Sequence, residues 1–372
     1  MRYRLSGFAL LTVFLVGLSS AWSNPAKANP ALLFELDSGK VLSHEDAFKR
    51  WYPASLTKLM TVYVAFRAVD AGELRLDSPI HVSKNSAGEP PSKMGYKPGS
   101  VMTLDNALKM LMVKSANDIA TAIAETVGGS EQAFVARMNA EAKRLGMTGT
   151  HYVNAHGLFS AAQYSTARDL ALLVRAIRTE YPQYAGYFSI EAIDTGEHVI
   201  PSYNILLGRF TGADGMKTGF VCASGFNLIG SATRSGRTLV AVVLGTTSQL
   251  ERAEKAAELL SSGFKMPSLA APTIYSLKPY GTGLDVPTDM RPIVCSKEAQ
   301  SERWGERDEE GNLVIRSKLL HEMDREPRAV AVGLGGVTGP ETTQPRYADV
   351  PIPTPRPDYP PRGGTIAVSE GG

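Results

Sequence analysis

From Leu56 to Phe66 the chain reads Leu-Thr-Lys-Leu-Met-Thr-Val-Tyr-Val-Ala-Phe, apolar on nearly every face of a helix except for one lysine at position 58. A helix without a polar stripe belongs inside a core. A charged ammonium is costly in such a place, so burial favours the neutral amine. Three positions upstream stands Ser55. Residues at i and i+3 share one helix face, which brings the amine of Lys58 within reach of the Ser55 hydroxyl. A serine at its ordinary pKa is a weak nucleophile and needs a neighbouring base. The pattern therefore predicts a buried helix that starts with a nucleophile and its proton acceptor.

Two further signals follow in order. Leu104, Ala107, Leu108, Leu111 and Met112 recur at helical spacing, and Asn117 to Val127 reads as a second helix stopped by Gly128-Gly129. Ser115 and Asn117 then fall on the loop between them, where a hydroxyl can relay a proton and an amide can orient its neighbours. The third signal, Lys217-Thr218-Gly219, leads into Phe226 to Thr233, a turn at Arg234-Ser235-Gly236-Arg237, and Thr238 to Leu244. That is a hairpin pattern. Lys217 and Thr218 suit a substrate carboxylate, and Gly219 lets an acyl group approach the backbone. Each signal alone is commonplace. Together, in this order, they outline a serine acyl-transfer site, with S-x-x-K and K-T-G as the paired signature of penicillin-recognising serine enzymes.

The same reading gives an architecture. A hairpin of Ala31 to Leu36, turn Asp37 to Lys40 and return from Val41 opens the domain, a helical middle carries the first two motifs, and strands between 217 and 244 close it. Leu250, Ala253, Ala256, Ala257, Leu260 and Phe264 then recur as one face of a last helix laid on a sheet. The fold class is mixed α/β (α+β), an antiparallel sheet flanked by helices beside a helical lobe, with the site in the cleft between them. His156, before Gly157-Leu158, reads as a turn residue and Asp169 as a helix-start residue at a positive dipole end. Neither is assigned to catalysis. The two cysteines and six histidines show no metal-ligand spacing, and no metal or cofactor is expected.

The motifs and their flanks resemble a known family. Tyr52-Pro53-Ala54-Ser55-Leu56-Thr57-Lys58, Ser115-Ala116-Asn117-Asp118, Asn154-Ala155-His156-Gly157-Leu158, Tyr164 to Ala171 and Asp214-Gly215-Met216-Lys217-Thr218-Gly219-Phe220 are similar to segments of the D-alanyl-D-alanine carboxypeptidases, the low-molecular-mass penicillin-binding proteins of serine peptidase family S11. The resemblance runs from about 31 to 264. It implies the penicillin-binding/β-lactamase-like transpeptidase fold and a set of roles. Ser55 would be the acyl-ester nucleophile, Lys58 its proton acceptor, Ser115 the third catalytic residue and Asn117 an orienting amide. Lys217 and Thr218 would hold the terminal carboxylate, and the backbone N–H groups of Ser55 and Phe220 would form the oxyanion hole. Some relatives have histidine where Phe220 stands. The implied substrates are peptidoglycan stem peptides, with β-lactams as inhibitors. A peptidoglycan endopeptidase using the same residues is the alternative. A class A β-lactamase would need a deacylating glutamate, and residues 154–178 contain none. A catalytically idle peptidoglycan-binding module is a further rival.

The ends of the chain fix the expected organisation. Met1-Arg2-Tyr3-Arg4, an apolar run from Phe8 to Leu18 and Ala26-Lys27-Ala28 have the order of a signal peptide cleaved after Ala28, too short for a membrane span. An exported, periplasmic protein is expected, with residues 29–266 as catalytic domain. A net charge of +2, from 39 basic and 37 acidic residues, gives no reason to expect nucleic-acid binding. Residues 267–336 read as a poorly defined extension and 337–372 as a proline-rich disordered tail without a membrane anchor, since eight prolines fall from position 340 onward. Cys222 lies just after the third motif. Export permits a disulfide with Cys295, against the alternative of two free thiols.

Overall fold

The computed structural model describes residues 29–342; the expected signal peptide and residues 343–372 lie outside the described residues. The chain opens with strands β1 (Ala31–Glu35) and β2 (Val41–Glu45), then a single 3₁₀ turn, Ala54–Thr57, that runs into helix α1 (Lys58–Asp70). The helical lobe follows, with β3 (Pro79–His81), α2 (Lys84–Gly88), β4 (Val101–Thr103), α3 (Leu104–Val113), α4 (Asn117–Gly128) and α5 (Glu131–Arg144). Helix α6 (Ala167–Glu180) leads through the short strands β5 (Ala192–Asp194) and β6 (Val199–Pro201) to β7 (Ala213–Val221), β8 (Gly225–Arg234) and β9 (Arg237–Thr246). Helix α7 (Gln249–Gly263) comes next, and α8 (Arg291–Val294), α9 (Lys297–Trp304) and β10 (Ala329–Ala331) belong to the C-terminal extension.

The main sheet has the order β2-β1-β9-β8-β7, with every neighbour antiparallel. Its middle strand β9 is apolar at every other residue on both sides, because both faces are covered. Leu239, Ala241 and Val243 pack with Leu33 of β1 against Ala253, Ala256, Ala257 and Leu260 of α7. Val240, Val242 and Leu244 share the other core with Leu32, Phe34 and the helices. The period-2 alternation of strands and the spacing of the α7 stripe thus meet on one interface. Helix α1 is buried from Lys58 to Phe66, as its all-round apolar sequence requires. It packs against α3, α4 and α5 of the helical lobe and against α6, which in turn lies on β1 and β9.

Helix ends follow their sequence signals. Thr103, Ser130, Thr166 and Ser248 cap α3, α5, α6 and α7 through their side-chain oxygens, and α4 ends at Gly129 in the left-handed conformation, φ 76°. Asp169 sits in the first turn of α6 and is buried. Its carboxylate accepts the Gly149 N–H at 2.7 Å, the Thr150 hydroxyl at 2.8 Å and the Arg168 guanidinium at 3.0 Å.

The extension differs from the poorly defined segment that composition suggests. It is a strap around the fold formed by the preceding residues. Ile274, Met290, Val294, Leu320 and Val332 are buried in the two cores already described, and no separate core forms in it among the described residues. The strap bonds to Gly39 and Val41 through Ile274 and Pro272. β10 adds in parallel to β5. Thr338 and Gly339, beyond the expected tail boundary at 337, still bond Asp77. Cys222 and Cys295 are joined by a disulfide.

Replacing Asp169 by alanine leaves three donors without their acceptor inside the core. Loss of a buried hydrogen-bonded charge costs about 2–4 kcal/mol. The expected outcome for Asp169→Ala is a urea midpoint lowered to match, with turnover per folded molecule within about twofold of wild type.

Candidate active site

The 3₁₀ turn at the head of α1 presents Ser55 at a cleft of about 320 Å³ lined also by Ser115, Asn117, Gly157, Thr218 and Phe220. Strained backbone surrounds it. Ala54, just before the nucleophile, has φ 48°, and Ser115 has φ 59°, left-handed values that non-glycine residues adopt only where the surroundings enforce them. For Ala54 the enforcement comes from close packing. Gly157 approaches so tightly that a Cβ on it would lie 1.9 Å from the Ala54 carbonyl oxygen, and its own φ of 92° also favours glycine. On the other side, a Cβ on Gly219 would lie 3.0 Å from both the Pro53 oxygen and the Ser55 nitrogen. Gly219 therefore lets β7 pass close beside the Ser55 backbone, a different reason from the acyl access that the sequence suggests.

Lys58 is fully buried and has three polar neighbours. Its Nζ donates to Asn117 Oδ1 at 2.7 Å and to the backbone oxygen of His156 at 2.5 Å, and it lies 3.1 Å from Ser55 Oγ. Burial, followed by the nearby Lys217 charge, holds its pKa well below the ordinary lysine range. A neutral amine has two N–H groups and one lone pair. With both N–H groups taken by the two carbonyl oxygens, the lone pair is left for the Ser55 hydroxyl. In its neutral form Lys58 would therefore face the Ser55 hydroxyl with its lone pair.

Asn117, the first residue of α4, is fixed from both ends. Its backbone N–H bonds the Ser92 oxygen at 2.7 Å, and its Nδ2 donates to the Pro90 oxygen at 2.9 Å. Asp118 beside it accepts the N–H groups of Met94 and Gly95. The loop 90–95 is thereby tied to the second motif. Ser115 Oγ accepts a hydrogen bond from Lys217 Nζ at 3.0 Å, so the second and third motifs are in direct contact. Lys217 is buried too. Burial, then the charge of Arg252, brings its pKa down to about 7.

Two features escape the sequence reading. His156 is placed there at a turn, with nothing to bring it near Ser55; in the fold its carbonyl is one of the two acceptors that orient Lys58. Its imidazole lies behind the site, near the carboxylates of Glu89 at 3.6 Å and Glu131 at 3.8 Å. Arg252 of α7 is the second. It lines the cleft, is buried, and bonds only backbone oxygens, those of Tyr203 at 3.2 Å and of Gly219 and Asn227 at 3.4 Å. No carboxylate pairs with it among the described residues, and burial brings its pKa down to about 9. The available signal was an arginine inside the stripe that Ala253, Ala256 and Leu260 make apolar. Lys217, Thr218 and Arg252 thus form a cationic, hydrogen-bonding end of the cleft that suits a carboxylate. Phe220 follows them at the end of β7, part exposed and stacked on Phe226 with centroids 4.2 Å apart.

Comparison with known proteins agrees with this geometry. The family described as D-alanyl-D-alanine carboxypeptidase matches residues 19–248. The chain is similar to D-alanyl-D-alanine carboxypeptidase DacC of Escherichia coli (strain K12), 35% identical over 258 residues that cover 68% of this chain and 64% of DacC. Among solved structures it resembles the D-alanyl-D-alanine carboxypeptidase DacD from Francisella tularensis, with a TM-score of 0.62 and 31% identity, covering 64% of this chain and 70% of the other. It also resembles penicillin-binding protein D2 from Listeria monocytogenes in the cefotaxime-bound form, with a TM-score of 0.58 and 30% identity over 64% of this chain and 97% of the other. The chain spans less than two thirds of the length of the curated relatives it matches first, between 61% and 64%.

Gly157→Ala would place a methyl group against the Ala54 carbonyl and strain a left-handed backbone. The expected cost is about 2–4 kcal/mol, seen as a lowered urea midpoint. Because the relief must come from the Ala54–Ser55 backbone, covalent labelling of Ser55 in the protein that remains folded is expected to slow at least tenfold.

Proposed function

The chain belongs to the D-alanyl-D-alanine carboxypeptidase family, and from that premise we propose that it removes the terminal D-alanine from peptidoglycan stem pentapeptides through an acyl-enzyme on Ser55. The observation that carries this reading is the hydrogen-bond environment of Lys58, which leaves its one lone pair to the Ser55 hydroxyl. The terminal carboxylate of the substrate sits at Lys217, Thr218 and Arg252. This places the last peptide carbonyl beside Ser55, with the backbone N–H groups of Ser55 and Phe220 as oxyanion donors.

The steps then follow. Ser55 Oγ attacks the carbonyl carbon while its proton passes to Lys58. The C–N bond breaks, and the departing amine of D-alanine takes the proton that Lys58 had accepted, relayed through the Ser115 hydroxyl that Lys217 holds in place, so Lys58 is neutral again. Water next attacks the ester. Lys58 accepts the water's proton, and Ser55 leaves with that proton returned. Lys58 serves both halves because it is neutral at the start of each. A β-lactam carries the same carboxylate and a strained amide, and it acylates Ser55 in place of the peptide. The protein acts outside the cytoplasm, where peptidoglycan lies, after cleavage of its leader following Ala28. The domain responsible comprises residues 29–266.

Incubation of the wild-type protein with purified uncrosslinked pentapeptide muropeptides, read by mass spectrometry, is expected to release one alanine per stem. Ser55→Ala is expected to release none. Splitting of crosslinked dimers without alanine loss would reject the carboxypeptidase reading in favour of an endopeptidase.

The two lysines also set a pH dependence. Lys58 must be neutral and Lys217 charged in the free enzyme. Lys217 has a lowered pKa, about 7, so its charge is lost as pH rises through that value. The expected kcat/KM falls on the alkaline side above about pH 7. A bound carboxylate stabilises the Lys217 cation, so the same limb in kcat is expected at higher pH. Coincident alkaline limbs in the two profiles would remove Lys217 from carboxylate binding.

A further inference from the structure

The outer end of β7 needs more support than the sheet gives it. β7 is an edge strand, bonded to β8 alone. Phe220, whose N–H serves as an oxyanion donor, is one residue from its end. An edge strand can shift at its end, and catalytic donors tolerate little displacement. The turn Cys222–Ser224 closes this end through bonds between Val221 and Ser224.

Residues 290–304 of the extension dock on this same turn. Cys295 is joined to Cys222 by the disulfide, and the Met290 N–H bonds the Ala223 oxygen at 3.1 Å. Met290 and Val294 are buried beside it. The Arg303 guanidinium lies 5.4 Å from the centre of the Phe226 ring, which in turn stacks on Phe220. One Nη of Arg303 is buried and has no hydrogen-bond partner. Toward the opposite wall, Arg291 covers the Phe159 ring at 4.3 Å, next to Gly157 and Leu158 of the cleft. One short segment therefore grips both walls of the cleft mouth.

We infer that residues 290–304, fastened by the Cys222–Cys295 disulfide, are a positioning device for the Phe220 oxyanion donor. The inference rests on the proposed acyl-transfer function. The disulfide fixes the end of β7, Arg303 backs the Phe226–Phe220 stack, and Arg291 sets the distance to the Phe159 wall. Removing an oxyanion donor altogether slows catalysis by about 10²–10³. Loosening one costs less, so the expected loss is about tenfold in kcat with little change in KM. Lys217 and Arg252 keep their own hydrogen bonds, to Ser115 and to the backbone oxygens of Tyr203, Gly219 and Asn227, so substrate binding changes less than turnover. The reactivity of Ser55 becomes dependent on the oxidation state of a cysteine pair that takes no part in the chemistry.

The test uses the mature chain from Asn29 to Gly372, with D-alanine release from an N-acylated tripeptide ending in D-Ala-D-Ala, acylation by a fluorescent penicillin, and urea midpoints. Cys295→Ser and dithiothreitol-reduced wild type are expected to lose about tenfold in kcat and in penicillin acylation rate, with KM within twofold. Arg303→Gln and Arg291→Gln, which keep the crosslink, are expected to lose severalfold in kcat. Should Cys295→Ser fail to fold, the two arginine variants decide. Folded variants with wild-type kcat, or with raised KM alone, overturn the inference while the function stands. Wild type inert toward both tripeptide and penicillin overturns the function and the inference with it.

Discussion

A buried lysine whose two N–H groups are already taken governs how this molecule is put together. Lys58 can stay neutral only if water is kept from it, and α1 achieves this by being apolar on all sides and fully enclosed. Enclosure requires a layer on each flank of the helix. Helix α6, which itself lies on β1 and β9, supplies one and the α3–α5 lobe supplies the other, and Ser55 surfaces in the cleft at the head of the helix. Each unit of pKa depression corresponds to about 1.4 kcal/mol of lost preference for the charged form. A cationic neighbourhood extends from Lys58 to Lys217 and Arg252, in which the charge of Arg252 lowers the pKa of Lys217 and that of Lys217 lowers the pKa of Lys58. An anionic substrate entering this end relieves the repulsion, so the unpaired cations are a disposition to bind carboxylate as well as a cost to folding.

Closeness of backbone to backbone is the second requirement. Ser55 is held by Gly157 on one side, where a methyl group has no room, and by Gly219 on the other, where a methyl group would press on the Pro53 oxygen and the Ser55 nitrogen. The strained φ of Ala54 is sustained by this sandwich. Two glycines far apart in sequence thus set one nucleophile, and the precision belongs to packing across elements rather than to the local turn. Second-motif loop and third-motif strand are then joined by the Lys217–Ser115 bond.

Much of this could be read from the residues in order. The all-round apolar α1 with its lysine, the β8–β9 hairpin, the α7 stripe and the three motifs were all legible, because each is a local pattern with its own period or spacing. What escaped depends on distance in space. The His156 carbonyl has no side-chain signature, so its bond to Lys58 leaves no trace in the sequence. Arg252 interrupts an apolar stripe, a weak signal that gains meaning only when β7 is seen beside it. The strap from 267 onward was unreadable as structure because single apolar anchors such as Ile274, Val294 and Leu320 have no periodicity, and each joins a core made elsewhere. Gly219 was recognised, but for a reason that the fold replaces.

The cluster behind Lys58 illustrates how hydrogen bonds decide between chemistries. Glu89, Glu131 and His156 bring ligand-type atoms within 4.8 Å of one another, a spacing that a cation could use. The imidazole argues otherwise. Its Nδ1 accepts the Leu158 N–H at 3.1 Å, so the single ring proton of the neutral form is on Nε2. That proton points toward the two carboxylates. A metal on Nε2 would drive the proton to Nδ1, against the Leu158 N–H. Thr121 already donates to Glu89 and the Ala155 N–H to Glu131. Burial raises the pKa of both glutamates, and burial with the Lys58 charge lowers that of His156 to about 3. Each shift favours the uncharged form. The cluster is accordingly a hydrogen-bonded polar support. It fixes the His156 backbone that Lys58 depends on, and a strongly anionic group in its place would pull Lys58 back toward its protonated, unreactive form.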